Sequence, residues 1–443
     1  MEVIIEQVLS YGLSVILIIS ILAIYLSQQK RQSKVVSDKI LQAKADGLHE
    51  PVSLYPVVDI NRCIQSGACI EACPEKEILG ITNGKASIIN ASRCIGHGAC
   101  FRACPVEAIS LWIGTEKRGV DLPHVSANFE TNVRGIFIAG ELGGMGLIRN
   151  AITQGREAVE QIVKIINKET KADYDLIVVG AGPAGISGTL AAKKAGLNVL
   201  TLEQDTLGGA VYTYPRSKIV MTAPMDLPLY GKVKFRETSK TELLSLWKTV
   251  IEKNKIEIVE NSKVEAIIPN NGIFSVETIN GEKYSCKNVL LSIGRRGTPR
   301  KLGVLGENTE KVAYRLLEPE IITDKDIVVV GGGDSAIEAA LSLADKNRVT
   351  LSYRSDKFSR IKQKNAEKIN EAIKLAKIVV KFNSNVVLIE PEIISYTENN
   401  SEEIFKIKND LIYIFAGGEL PTEFLKKMGI EMSTKHGEVV LKH

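Results

Sequence analysis

Aromatic side chains are few in this chain, 5% of 443 residues, and its charge nearly cancels, with 56 Lys and Arg against 52 Asp and Glu for a net +4. With no long basic run and little to stack on bases, the composition excludes nucleic acid as a main partner. Cysteine is scarce outside one window: six of the seven fall between Cys63 and Cys104. That clustering excludes a scattered disulfide framework and points to metal ligation in a reducing compartment. An apolar fraction of 44% excludes extended disorder and, at this length, allows two or three domains.

Charge is missing altogether from Val8 to Leu26, VLSYGLSVILIISILAIYL. Nineteen residues at about 1.5 Å rise each nearly match a hydrocarbon core of roughly 30 Å, so this stretch reads as one transmembrane helix. A cleaved signal peptide is disfavoured, because the segment has no basic start and no small-residue cleavage site. Lys30, Arg31 and Lys34 follow it while Glu2 and Glu6 precede it. The positive-inside rule then places a single-pass protein in the cell membrane with its C-terminal bulk on the cytoplasmic side.

The chain divides by pattern. Residues 1–28 are the transmembrane anchor, and 29–50 are polar, without apolar alternation, and read as a stalk. Residues 51–115 hold an internal repeat, RCIQSGACIEACPEKEI and RCIGHGACFRACPVEAI. From Asp173 the pattern changes to apolar strands, glycine turns and helices, with two β-α-β units roughly 150 residues apart.

The first half-repeat gives Cys63, Ser66, Cys69 and Cys73-Pro74; the second gives Cys94, His97, Cys100 and Cys104-Pro105. Against the bacterial ferredoxin run C-x2-C-x2-C-x3-C-P, each half lacks its second cysteine. In two-cluster ferredoxins the fourth cysteine of each run serves the other cluster. One site would therefore use Cys63, Cys69 and Cys104, and the other Cys94, Cys100 and Cys73. Three thiolates suffice for a [3Fe-4S] cluster, or for a [4Fe-4S] cluster completed by Ser66 oxygen, His97 nitrogen or water. Two iron-sulfur clusters are thus expected, with nuclearity open. The alternatives are a cluster-free module, in which Ser66 and His97 are plain surface residues, and a zinc site, whose usual ligand spacings this run does not match.

In VVGAGPAG, Gly180, Gly182, Pro183, Ala184 and Gly185 lie between an apolar strand and a helix, and Glu203 ends the next strand. Glycine permits a tight turn and close approach of a pyrophosphate to the helix N-terminus, while the acid accepts from the adenosine ribose. A second unit, VVVGGGDSA, offers Gly331, Gly333, Asp334, Ser335 and Ala336 in the same setting. Two dinucleotide sites imply one flavin, FAD, and one nicotinamide, NADP(H) or NAD(H). The second unit's next strand, LSYR, carries no acid and leads into Arg354, Lys357 and Arg360, which favours a 2'-phosphate and hence NADP(H), with solvated surface charge as the alternative.

These motifs resemble the flavoproteins of the thioredoxin reductase type, which have two dinucleotide-binding domains: GAGPAG for FAD, LSIGRRGTPRKLGVLGE at the crossover and GGGDSAIEAAL for NAD(P)H, over residues 173–443. The C-x-x-C pair of thioredoxin reductases is missing, since AYRLLEPEIITDKD stands in its place, so a dithiol relay is excluded. Cys286 begins an apolar strand and reads as core. Disulfide-free relatives, the thioredoxin-reductase-like ferredoxin-NADP reductases, fit better. The resemblance implies Gly209 and Gly294 as further cofactor-binding positions. It also implies a closing segment of the form T-x-V-x-G-I-F-A-A-G-D, which in this chain stands upstream as ETNVRGIFIAGELGG, as in a circular permutation. Gly140 would then approach the flavin ribityl chain, Glu141 would stand where the family has aspartate, and a helix from about Leu147 would aim its N-terminus at the flavin.

The expected fold class is α/β, two Rossmann-like dinucleotide-binding domains, with a small α+β ferredoxin-like domain and one N-terminal transmembrane helix. The expected domains after the repeat are a permuted FAD-domain closing segment at 116–170, the FAD-binding domain at 171–304, the NAD(P)-binding domain at 305–408 and a return to the FAD domain at 409–443. The expected function is an NAD(P)H:acceptor oxidoreductase passing electrons between NAD(P)H, FAD and iron-sulfur clusters to a soluble or membrane electron-transfer partner, with no side-chain acid or base demanded. Homodimers are expected by analogy alone. A redox sensor or assembly protein with little turnover and a small-disulfide reductase are the competing readings.

Overall fold

The structure is a computed structural model that describes residues 2–442 apart from 46, 47, 52, 53, 76, 95, 97, 117, 118, 145, 168, 215–218, 222, 223, 236, 296, 297, 359, 360 and 400. Two compact units emerge, one from residues 1–119 with 436–443 and the other from 120–435.

The first unit opens with α1, Glu2–Ala45, a single unbroken helix of 44 residues. Its apolar side chains from Tyr11 to Leu26 are exposed, among them Ile16, Leu17 and Ile18. Beyond them the helix docks, which corrects the expectation of an unpacked stalk at 29–50. Ser33 Oγ meets Thr82 Oγ1 at 3.3 Å and accepts from the Asn83 N–H at 2.9 Å. Lys39 pairs with Glu77, and Ala43 is buried. The docking stripe, Ser33, Val36, Ile40 and Ala43, keeps a helical spacing but is narrow and set among polar neighbours, so it reads weakly in the sequence.

The repeat folds as β1 (Tyr55–Val58), α2 (Ala68–Glu71), the antiparallel hairpin β2 (Leu79–Thr82) and β3 (Lys85–Ile88), α3 (Ala99–Ala103) and β4 (Ile109–Ile113). β1 and β4 pair antiparallel, and the far edge of β4 takes the chain's last strand, Glu438–Leu441.

The second unit begins with β5 (Val120–Pro123), β6 (Ile136–Ile138) and α4 (Ile148–Ile165), before the first glycine unit, β7 (Tyr174–Val179), α5 (Pro183–Lys194) and β8 (Val199–Leu202). β7 and β8 run parallel, and β7 lies parallel to the long strand Lys283–Leu291. β6, far upstream in the chain, also lies parallel to that strand, with Ile136, Phe137 and Ile138 opposite Val289, Leu290 and Leu291. All six of these side chains are almost wholly buried, as continuous apolar runs covered on both faces must be.

A second parallel sheet orders Val312–Ala313, Leu411–Ile414, Asp326–Val330, Arg348–Ser352 and Ile378–Lys381, flanked by the helices Asp334–Leu343 and Gln363–Lys374. An antiparallel set, Ser384–Ile389, Ile393–Glu398 and Ile404–Lys408, follows. The segment 409–443, expected to return as one piece, is divided. Leu411–Ile414 stays in this second parallel sheet because its buried Ile412 and Ile414 fill that core. Leu425, Met428 and Ile430 pack under the sheet of β7, Met432–Lys435 pairs with β5, and the final strand belongs to the first unit.

Candidate functional site

The first glycine loop is built from close backbone approach. β7 ends at Gly180, whose φ of +100° is a left-handed conformation that favours glycine. A Cβ on Gly185 would stand 1.8 Å from the Gly180 carbonyl oxygen. Helix α5 starts with Gly182 at its N-cap and Pro183 in its first turn, with no side chain capping its N–H groups. Such an end favours a phosphate. The Gly208 N–H donates to the Ala181 carbonyl at 3.0 Å, and a Cβ on Gly209 would lie 3.1 Å from Gly182 Cα. Glu203, 4% exposed, accepts from the Ala181 N–H at 2.6 Å and the Asp205 N–H at 3.0 Å. Burial pushes its carboxyl up, and those two N–H groups hold it down.

Gly140 joins the same loop: a Cβ there would stand 3.1 Å from Ala184 Cβ, and its N–H donates to Gln154 Oε1 at 2.8 Å. Glu141 opens a half-buried 3-10 turn just before α4. Gly294 lies on the loop after Lys283–Leu291, where an added Cβ would meet nothing within 4 Å. A glycine turn, an uncapped helix start and a buried acid ending the next parallel strand fit an adenine dinucleotide. Three contributors escaped the sequence reading. Gln154 and Gly155 sit on α4 with no motif to mark them, and Ser292 is buried with its Oγ unpartnered.

In the second unit, the Gly331 N–H donates to the Ser352 carbonyl at 2.9 Å, and Gly333 caps the helix that carries Asp334, exposed Ser335 and buried Ala336. The Tyr353 ring lies against Gly332, where a Cβ would stand 2.2 Å from it, and stacks on Phe358 with centroids 5.6 Å apart. Asp334 is engaged elsewhere: its Oδ1 accepts from the Lys362 N–H at 2.9 Å and from Asn365 Nδ2 at 2.7 Å, fixing the start of helix Gln363–Lys374. Asp334 thus also braces the loop against the next helix. Arg354 is exposed two residues past strand Arg348–Ser352. Arg360 lies outside the described residues.

Five of the six clustered cysteines are buried and Cys104 is half-buried. Gly67 and Gly98, both left-handed, turn the chain into α2 and α3 and so set Cys69 and Cys100 inward. Cys63, Ser66, Cys69 and Cys104 line one cavity together with Ile81 and Ala86. Burial raises the Cys69 thiol, and so do its neighbours Cys104 and Cys63. Burial pushes Cys94 to about 11, with Cys73 contributing, and Cys100 to about 12, with Cys94 and Cys73 contributing. Cys69 adds a smaller push on Cys100, so the two groups lie close together, and the shared cavity marks Cys63, Cys69 and Cys104 as one set. Backbone N–H groups point at sulfur, Ala86 to Cys63 at 3.5 Å and Ala108 to Cys104 at 3.2 Å, as groups that tune a cluster do. Among the described residues no three His, Cys, Asp or Glu side chains converge on a single-ion site. His97 lies outside the described residues. Cys286 is fully buried and pushed to about 12 by that burial, a packing residue rather than a nucleophile.

A profile of pyridine nucleotide-disulphide oxidoreductases matches residues 177–443, and one of 4Fe-4S dicluster domains matches residues 55–105. The chain is 35% identical to a ferredoxin--NADP reductase of Picrophilus torridus, over 54% of this chain and 68% of that one. It is 28% identical to bacilliredoxin reductase Bdr of Bacillus subtilis, over 59% and 82%. The solved bacillithiol disulfide reductase Bdr of Bacillus cereus superposes with a TM-score of 0.52 at 26% identity, covering 58% of this chain and 82% of that one. The chain belongs to the pyridine nucleotide-disulphide oxidoreductase family: it is an FAD-dependent oxidoreductase that also carries a 4Fe-4S dicluster domain.

Proposed function

We propose that this protein is a membrane-anchored NAD(P)H:acceptor oxidoreductase of the ferredoxin-NAD(P) reductase kind, working between NADPH and an electron-transfer partner. When bound, FAD exchanges two electrons with a nicotinamide and one at a time with iron-sulfur clusters, which is the adaptor such a pair needs. Gly180, Gly182 and Gly185 would cradle the FAD pyrophosphate, Glu203 the adenosine ribose, and Gly140 with the N-terminus of α4 the flavin side. Gly331 and Gly333 would hold the nicotinamide dinucleotide, and Arg354 its 2'-phosphate.

The observation that carries this reading is the cavity that Cys63 and Cys69 of the first half-repeat line together with Cys104 of the second, in a chain that also has two glycine loops. We read the sets as ligands of two clusters, Cys63, Cys69 and Cys104 for one and Cys94, Cys100 and Cys73 for the other, with Ser66 beside the first. β6 and α4, preceding β7 yet completing its sheet, support a permuted FAD domain. One helix, Tyr11 onward, is long and apolar enough to cross a membrane, and Lys30, Arg31 and Lys34 after it favour a cytoplasmic C-terminal bulk. A disulfide substrate would leave both cysteine sets without a role.

The test is an anaerobic titration of purified protein with NADPH and NADH, following visible and EPR spectra beside iron, sulfide and flavin content. Flavin bleaching together with cluster signals is expected, at lower NADPH than NADH. Flavin reduction without iron would overturn the electron path, and a flavin that neither nucleotide reduces would favour a sensor.

A further inference from the structure

The hairpin β2–β3 is a partition one strand thick. Side chains alternate across a strand, so Gly80 and Thr82 face one way and Ile81 the other. On the first side stands α1: a Cβ on Gly80 would lie 2.8 Å from Val36 Cγ1, and Thr82 meets Ser33. On the other side Ile81, with its cross-strand partner Ala86, lines the cavity of Cys63, Cys69 and Cys104. Ala86 also directs its N–H to Cys63 Sγ, and the neighbouring Lys85 Nζ donates to the Cys63 carbonyl at 2.7 Å. The first cysteine set therefore hangs on the same hairpin that α1 grips.

We propose that α1 is a rigid mast that fixes the iron-sulfur domain at one height and one orientation over a lipid bilayer. This rests on the anchor and cluster readings above and deepens them. Helix is unbroken through the junction, and the docking contacts at Ser33, Val36, Lys39 and Ala43 begin seven residues after Leu26, about 10 Å of helix. No linker separates the apolar run from the grip on the domain. The domain consequently presents one constant face to the membrane, and the hairpin couples the Cys63, Cys69 and Cys104 set to α1. A partner carried in or on the membrane meets that face without a search.

The test uses the full chain in vesicles of phosphatidylethanolamine and phosphatidylglycerol, reduced and dried into oriented multilayers for EPR. Cluster lines that change in intensity with the angle between field and membrane normal are expected from wild type. Inserting Gly-Gly-Ser-Gly-Gly between Ser27 and Gln28 is expected to abolish the angular change at unaltered total signal. Vesicle-bound wild type whose cluster lines show no angular change overturns the mast, and so does an insertion variant that keeps the change. Protein that fails to sediment with vesicles removes the anchor reading, and absent cluster lines remove the iron-sulfur reading. Those two failures are separate from each other and from an isotropic spectrum.

Discussion

Gly155 on α4 lies against the first turn of α5 so tightly that a Cβ there would stand 2.1 Å from the Ala184 carbonyl oxygen. That approach brings α4 onto the helix that begins at the FAD glycine loop, and Ser187 Oγ donates across the same crossing to the Ile152 carbonyl at 2.7 Å. Backbone oxygen cannot yield as a side chain would. Gly155→Ala is expected to cost about 1–3 kcal/mol through forced displacement and to loosen flavin. Thermal unfolding, with flavin release followed by fluorescence, reads both effects. An unchanged melting temperature would mean the two helices are not held this close.

Glu203 joins that loop to the next strand through its bonds from Ala181 and Asp205. Glu203→Ala leaves two N–H groups in a buried setting without their acceptor, at about 1–3 kcal/mol each, beyond any lost ribose contact. FAD affinity is expected to fall about tenfold or more, with Glu203→Gln intermediate because it keeps one acceptor oxygen. Titration of apoprotein with FAD distinguishes the three proteins.

Arg354 and Lys357 are the described basic residues of the pattern that favours NADP(H), and Arg354 stands nearer the strand end. Loss of a charged phosphate contact is worth about 1.5–3 kcal/mol, so Arg354→Ala is expected to raise the KM for NADPH by about tenfold or more. The kcat and the KM for NADH should stay near wild type. A variant that impairs both nucleotides equally would place Arg354 outside the 2'-phosphate site.

Much of this arrangement was legible from residues alone, because some chemistry needs fixed spacing. The glycine loops, the acid at Glu203 and the paired cysteine runs each follow from local geometry. What stayed hidden depends on the partner surface instead. Ser33, Val36, Ile40 and Ala43 keep a helical spacing too narrow to stand out among polar neighbours, and the missing side chain of Gly80 makes room for Val36. Asp334 reads as part of a dinucleotide loop, with no sign that Lys362 and Asn365, about thirty residues on, also bond its carboxylate. Nothing in Glu438–Leu441 names β4 as its neighbour.

Asp326 begins the central strand of the nicotinamide-side sheet and bonds Arg348 Nε at 2.6 Å, with Lys408 Nζ at 3.1 Å. The Arg348 guanidinium first, then Lys408, holds this carboxyl below its ordinary value. A depressed carboxylate stabilises the fold above its unfolded pKa of about 3.9 and loses that contribution as pH falls through the lower folded value. Wild type is thus expected to lose urea resistance relative to Asp326→Asn as pH drops below about 4. The gap between the two should be widest near neutrality. A gap independent of pH would show that the pair does not report through Asp326 ionisation.

Cys104 belongs to the second half-repeat in sequence yet neighbours Cys69 and lines a cavity with Cys63, both from the first half. If that neighbourhood is ligation, cysteine variants sort by space and not by repeat. Cys104→Ala is expected to abolish the same EPR signal as Cys63→Ala, and Cys73→Ala the same signal as Cys94→Ala. Each pair should leave the other cluster's signal in place. Sorting by half-repeat, with Cys104 behaving like Cys94, would overturn the crossed sets. Ser66→Cys adds a thiol to the first cavity, so a three-iron signal there should give way to that of a four-iron cluster. If the signal is unchanged, Ser66 does not face the irons.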